Sequence, residues 1–299
     1  MSSIAGMDRS DDPWRRTVTD RLGVVCTGAA VVGEGMTSRV ERWTLADGGT
    51  LIAKRPKIPP RPGLYASEAH GLAALSGTPG LTVPQVVHHD HAGIVLSDCG
   101  AQAAAPVADD DPYWERLGRG VAHLHGRIHG HFGWHRPTFW GVLPMAQTPT
   151  ADGVAFYRDQ RFHWFLDQPP VRAGLPPALW RGVAALADDL GRRIPAQPPC
   201  LNHGDLWYEN RLRGPAGEAV VIDPFVHAGW AEADLSHAWI FGGFPPRSWD
   251  AYRECHPLDP CWPDRLRLLG LIHMLAIVRE IGPDPWTVRW IAATVEDLR

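Results

Sequence analysis

His203-Gly204-Asp205-Leu206-Trp207-Tyr208-Glu209-Asn210, followed by Val220-Val221-Ile222-Asp223, is the stretch whose reading decides the fold. An Asp with an Asn five residues on is the spacing by which a phosphotransferase sets a base at the acceptor hydroxyl and an amide oxygen on Mg²⁺. Asp205 and Asn210 have that spacing. Beyond Asn210, residues 211–213 and 219–222 read as two short strands joined by Gly214-Pro215-Ala216-Gly217-Glu218, a run of turn formers. Such a hairpin returns the chain to Asn210 and ends on Asp223, a carboxylate placed to be the second, charged Mg²⁺ ligand. An isolated His-Gly-Asp implies no more than a turn and a hydrogen bond. The Asp, the Asn, the hairpin and the closing Asp carry the reading together.

Upstream, Val31-Val32-Gly33-Glu34-Gly35-Met36-Thr37-Ser38-Arg39-Val40 sets glycines and small hydroxyl residues between two β-prone runs, 24–32 and 40–45. Gly33, Gly35, Thr37 and Ser38 are the candidate phosphate cradle, since backbone N–H groups in such a turn can face an anion. Taken alone the loop reads first as a plain hairpin turn, for it lacks the third glycine of a protein-kinase loop. The next strand, Thr50-Leu51-Ile52-Ala53-Lys54, ends in a lysine able to reach the α- and β-phosphates. Residues 66–75 follow as a helix with Glu68 near its start, and a helix Glu paired with a strand Lys is the ion pair that holds such a lysine in place.

Composition excludes several classes. The chain has 299 residues, enough for two lobes, and a net charge of -4, which leaves no basic footprint for nucleic acid. No run approaches the ~18 apolar residues of a membrane helix, and the polar start has no apolar signal core, so a cytoplasmic location is expected. Five cysteines form neither a CxxC pair nor an even count and read as reduced thiols, Cys255 and Cys261 included. The histidines at 88, 89, 91, 123, 125, 129 and 131 lack a carboxylate or cysteine at ligand spacing and read as surface or hydrogen-bonded residues.

The organisation expected is a small N-lobe, residues 1–97, that binds nucleotide phosphates, and a larger, mainly helical C-lobe, residues 98–299, with the catalytic loop, metal and acceptor site. This is an α+β, protein-kinase-like bilobal architecture. Strands at 83–88 and 93–96 lead into Ser97-Asp98-Cys99-Gly100, the expected hinge, whose backbone would meet an adenine edge. Helices are expected at 111–129, 153–166, 179–192, 233–241 and 263–281. Trp134, Trp140, Trp164 and Trp207 fall near the proposed site; most tryptophans read as core, with one or two free to stack on a sugar or aromatic ligand.

At Ile222-Asp223-Pro224, Glu232-Ala233-Asp234-Leu235, Phe241-Gly242-Gly243-Phe244-Pro245-Pro246, Tyr252 and Pro257-Leu258-Asp259-Pro260, together with the catalytic loop, the chain closely resembles the fructosamine kinase (ketosamine-3-kinase) family. The likeness extends to Glu68-Ala69, Gly71-Leu72, Val83-Pro84, Leu124-His125, Phe132-Gly133 and Phe156-Tyr157-Arg158-Asp159-Gln160-Arg161, and so spans nearly the whole chain. It implies transfer of the γ-phosphate of ATP to a sugar hydroxyl, O3 of a ketosamine, with a small-molecule sugar-amine as acceptor. Carried onto this chain, Asp205 is the base, Asn210 and Asp223 hold Mg²⁺, Lys54 and Glu68 are the nucleotide pair, and Asp234 braces the catalytic loop. Tyr208 and Glu209 depart from the small residues usual there, and Glu209 is the candidate for attracting a cationic acceptor. The hinge also differs. An aminoglycoside or other amino-alcohol kinase is the alternative within enzymes; a nucleotide-binding pseudokinase is the alternative outside them, against which the intact Asp205, Asn210 and Asp223 stand.

Overall fold

Alternation along strands fixes the first lobe. β1 (Cys26–Glu34), β2 (Ser38–Leu45) and β3 (Thr50–Pro56) are successive antiparallel neighbours. Helix α2 (Leu64–Leu75) follows, then β4 (Leu81–Thr82), β5 (Val86–Asp90) and β6 (Gly93–Ser97), and β6 inserts beside β3 to give the order β1-β2-β3-β6-β5. Successive side chains of a strand face opposite sides. Ala53 and Val95 therefore pack with Trp43 and Val18 on one face, while Ile52, Ile94 and Leu96 meet Tyr65, Ala69 and Leu72 of α2 on the other. Lys54 shares the parity of Ile52 and so faces α2, the side on which Glu68 waits.

This computed structural model describes residues 12–35, 38–59, 61–103, 108–242, 244–258 and 260–299. Thr37 of the expected phosphate cradle, and Gly243 and Asp259 of the family-like segments, lie outside the described residues.

The outer face of the sheet is covered by a helix that the sequence reading did not place, α1 (Pro13–Leu22). Asp12 caps it by accepting from the N–H groups of Trp14 and Arg15, and Pro13 occupies the first turn, where no N–H is needed. The helices Pro246–Cys255 and Pro285–Asp297, which also open on proline, were likewise not placed by the sequence reading.

After β6 the chain passes Ser97–Gly100 and forms β7 (Gln102–Ala103) before entering helix α3 (Pro112–His125), whose Leu117, Val121 and Leu124 are fully buried as expected. α3 stops at Gly126, short of the expected 129. Two further hairpin strands follow, β8 (Thr138–Trp140) and β9 (Leu143–Met145). The helical run expected at 153–166 is present, but Arg158–His163 within it is a π-helical turn. The strands β10 (Cys200–Asn202) and β13 (His227–Gly229) pair with each other. Between them the expected hairpin is present as β11 (Arg211–Arg213) and β12 (Ala219–Val221), flanked by β7 and β4 in the sheet β4-β12-β11-β7. A central helix, Trp262–Ile281, supplies much of the second lobe's core.

The helix Pro246–Cys255 lies so close to α3 that a Cβ on Gly118 would stand 2.3 Å from the Ser248 carbonyl oxygen. Gly118→Ala should therefore cost about 1–3 kcal/mol of stability through overpacking, seen as a lower urea midpoint, with turnover within twofold of the parent. An unchanged midpoint would show that the two helices separate freely.

Candidate active site

Strand β10 delivers the chain to His203, where it must turn sharply. Gly204 sits at φ 85°, and a Cβ there would lie 2.0 Å from the Phe225 carbonyl oxygen, so only glycine fits. The turn is held by Asp234, on the helix Ala231–Ile240, whose two carboxylate oxygens accept the backbone N–H groups of His203 and Gly204, each at 2.6 Å. Behind it, His125 Nε2 lies 3.3 Å from Asp234 and His125 Nδ1 lies 2.8 Å from the Tyr252 hydroxyl. A proton on Nε2 satisfies both contacts, with the hydroxyl donating to Nδ1. Burial alone would push the Asp234 carboxyl up, but His125 and the other histidines around it hold it below its usual value. Asp234 thus braces the loop, as the family resemblance implies.

Asp205 projects from this turn between two side-chain donors. Asn210 Nδ2 donates to its Oδ2 at 2.8 Å and to its backbone carbonyl at 2.9 Å, and Trp140 Nε1 donates to Oδ1 at 3.2 Å. His237 Nδ1 comes within 3.4 Å of Oδ1 without hydrogen-bond geometry. Burial and the nearby Asp223 charge raise the Asp205 carboxyl to about 7, against the two donors that lower it. Because Asn210 spends its NH₂ on Asp205, its amide oxygen is left for another partner.

Ile222 donates its N–H to the Asn210 carbonyl at 3.1 Å, so the hairpin exit brings Asp223 back beside the loop. Asp223 is the only non-glycine residue at positive φ among the described residues, at 55°, a conformation costly enough to need a reason. Its carboxylate meets Lys54 Nζ at 2.7 Å, and Lys54 Nζ meets Glu68 at 3.2 Å. Burial opposes the Lys54 charge, but Asp223 and Glu68 overcome it and hold the ammonium well above its usual value. Glu68 is raised by burial to about 7 despite Lys54. Gly71 keeps α2 close: a Cβ there would stand 2.9 Å from the Pro224 ring.

These groups line one cleft of about 170 Å³ between the lobes, with Gly35, Ser38, Tyr65, Phe139 and Gly141. Lys54, Glu68, Asp205 and Asp223 are brought together, and Asn210 adjoins through Asp205. Gly33 is not in the lining, since it pairs with Val40 in the sheet, and the Gly35 N–H is engaged by the Ser38 carbonyl at 2.9 Å. Of the described residues of the expected cradle, Gly35 and Ser38 line the cleft. Sequence reasoning missed Tyr65, a buried residue that lines the cleft beside Ser38 and Lys54, and gave Trp140 no role at the base. Glu209 does not adjoin the base: it is exposed in the short turn Tyr208–Asn210, accepts from the Tyr208 hydroxyl at 3.1 Å, and does not line the cleft. At the hinge, Asp98 ties Arg42 at 2.6 Å and the Gly100 N–H at 2.8 Å.

Five cysteines are free thiols, and no group of three His, Cys, Asp or Glu side chains among the described residues could hold a metal ion. No helix among the described residues is long and apolar enough to cross a membrane.

Comparison with known proteins gives a family model, described as fructosamine kinase, that matches residues 59–287. A protein of Thermus thermophilus named as a probable ketoamine kinase is 31% identical over 250 residues, 82% of this chain and 86% of its own length. The chloroplastic protein-ribulosamine 3-kinase of Oryza sativa subsp. indica is 26% identical over 89% of this chain and 78% of its own. Among solved structures, a Thermobifida fusca protein assigned as a fructosamine-3-kinase superposes with a TM-score of 0.83 at 32% identity, covering 94% of this chain and 95% of that one. An aminoglycoside phosphotransferase, at 14% identity and a TM-score of 0.65, covers 95% of this chain and 97% of its own and shares the fold.

Asp234→Asn keeps one acceptor oxygen but turns an NH₂ toward a backbone N–H, and should cost about 3 kcal/mol or more at neutral pH. The wild-type carboxyl titrates lower in the folded than in the unfolded chain. Its advantage is therefore complete above the unfolded value of about 4 and is lost as pH falls through the folded value. Urea midpoints of both proteins should converge below about pH 4. A gap that stays constant down to pH 3 would contradict the assignment.

Proposed function

The chain belongs to the fructosamine kinase family, and we propose that it moves the γ-phosphate of ATP to O3 of a ketosamine by in-line transfer. It is a phosphotransferase with an alcohol acceptor, of protein-kinase-like fold. The observation that carries the reading is the meeting of Asp205, Asp223, Lys54 and Glu68 on one cleft, with Asn210 joined to Asp205.

Residues 1–97 supply the nucleotide side and residues 98–299 the base, the metal ligands and the acceptor side, in the cytoplasm. Lys54 holds nucleotide phosphates while Glu68 keeps it in place, with Ser38 and Gly35 above them and the Ser97–Gly100 backbone toward the adenine. Mg²⁺ fits the donors present: two oxygens, the free amide oxygen of Asn210 and the carboxylate of Asp223, suit an ion that takes one or two carboxylates and completes its shell with water and phosphate. Bound there, Mg²⁺ neutralises phosphate charge. Asp205, raised by burial and by Asp223 to about 7, accepts a hydrogen bond from the attacking hydroxyl and takes its proton.

Asp205→Asn should lower turnover by roughly 10²- to 10⁴-fold while Mg·ATP affinity is retained. Turnover within a fewfold of the parent would remove Asp205 from the role. Asp223→Ala should lose Mg²⁺-dependent ATP binding and activity together; undiminished binding in a titration with Mg·ATP would refute that ligand.

Substrate class is decided by an ATP-consumption assay over fructosyl-amines, free fructose and aminoglycosides. The fructosyl-amine should be preferred, with phosphate found on O3. Equal turnover of fructose and fructosyl-amine, or preference for an aminoglycoside, would overturn the ketosamine reading.

A further inference from the structure

A carboxylate turns easily about its last torsion, which is broad and roughly two-fold, so an aspartate base needs both oxygens held if one lone pair is to face the acceptor. In Asp205 the Oδ2 atom is held by Asn210 at 2.8 Å and Oδ1 by the Trp140 indole N–H at 3.2 Å. Asn210 belongs to the metal site as well. Trp140 does not, and it does not line the cleft that Lys54 and Asp223 share.

The indole is fixed by a stack inside the second lobe. Its ring lies on Phe225, with centroids 5.8 Å apart and planes 12° from parallel, and its edges meet Phe165 at 5.8 Å and His273 at 5.3 Å. On Phe225 also rests the guanidinium of Arg161, 5.4 Å from the ring. Arg161 is buried in the π-helical turn and donates to the Ala146 carbonyl at 2.7 Å, just past β9, so it ties down the hairpin that carries Trp140. A hydrogen bond from indole to a carboxylate in this water-poor setting is charge-assisted and directional.

We propose that Trp140 is a positioning residue for phosphoryl transfer, whose indole N–H fixes the rotation of the Asp205 carboxylate before the acceptor arrives. The inference rests on Asp205 being the base. Trp140 touches neither nucleotide nor acceptor in this role and acts through Asp205 alone. Its effect belongs to kcat, whereas a loss at Asn210 reaches the metal and the nucleotide as well.

The test removes the N–H and keeps the ring. Trp140→Phe should lower kcat at least tenfold, with the Kd for Mg·ATP and the acceptor KM within twofold of the parent. Because phenylalanine leaves a gap, a second variant carries 3-benzothienylalanine at position 140, which replaces the N–H by sulfur at nearly the same size; it should show the same loss with an unaltered melting temperature. In an Asp205→Asn background, Trp140→Phe should cause no further loss. A kcat within twofold of the parent for the benzothienyl variant, or an equal loss in the Asp205→Asn background, would overturn the proposal. Retained turnover in Asp205→Asn alone would instead overturn the reading of the base.

Discussion

The buried carboxylate of Asp234 is the constraint on which the site depends. Two backbone N–H groups in a tight turn, His203 and Gly204, would otherwise be buried without partners, and each such loss costs as much as a hydrogen bond to a charge. Asp234 satisfies both, and is itself set by His125 on α3 and, through His125, by Tyr252 on the helix Pro246–Cys255. Three helices of the second lobe therefore converge on one turn. The direction of Asp205 is a consequence of how those helices pack, which is why the resemblance of Leu124-His125 and Tyr252 to the family matters even though neither reaches the cleft.

Against that rigid frame the cleft is electrostatically short of positive charge. Asp205, Asp223 and Glu68 share it with a single lysine, and both Asp205 and Glu68 are pushed to about 7 by burial. Lys54 bridges Glu68 and Asp223, which is the best arrangement available without another cation. Like charges this close raise each other's cost, and an added divalent ion at Asp223 would relieve it. The unfavourable conformation of Asp223, alone at positive φ among the described non-glycine residues, fits the same account: the backbone is held off its minimum where the carboxylate must point inward.

Much of this was legible in the sequence, and the reason is local spacing. The catalytic turn, its hairpin and the Lys54 strand are each encoded within a dozen or so residues, so periodicity and turn formers give them directly. What spacing cannot show is convergence from afar. Trp140 and His237 reach Asp205 from a hairpin and a helix remote in sequence, and Tyr65 lies just before the helix expected at 66–75. The glycine loop was over-read for a related reason: composition gave small residues, but the strand pairing of Gly33 and the closure of Gly35 on Ser38 follow only from the register of β1 with β2.

The segments that mark the family work chiefly on the frame. Arg211, which follows Asn210, is buried and donates to the Trp207 carbonyl at 3.0 Å and the Gly242 carbonyl at 2.6 Å, with its guanidinium 5.5 Å from the Phe244 ring. Gly242 and Phe244 thus buttress the hairpin that runs between Asn210 and Asp223. Glu232, in the neighbouring motif, forms a buried pair with Arg265 at 2.6 Å and accepts from Gln197 at 2.7 Å, anchoring the Asp234 helix to the central one. Tyr208 and Glu209, where this chain departs from the family pattern, sit at solvent on the rim of the turn. Variation there leaves the frame intact, so the departure does not alter how Asp205 is held.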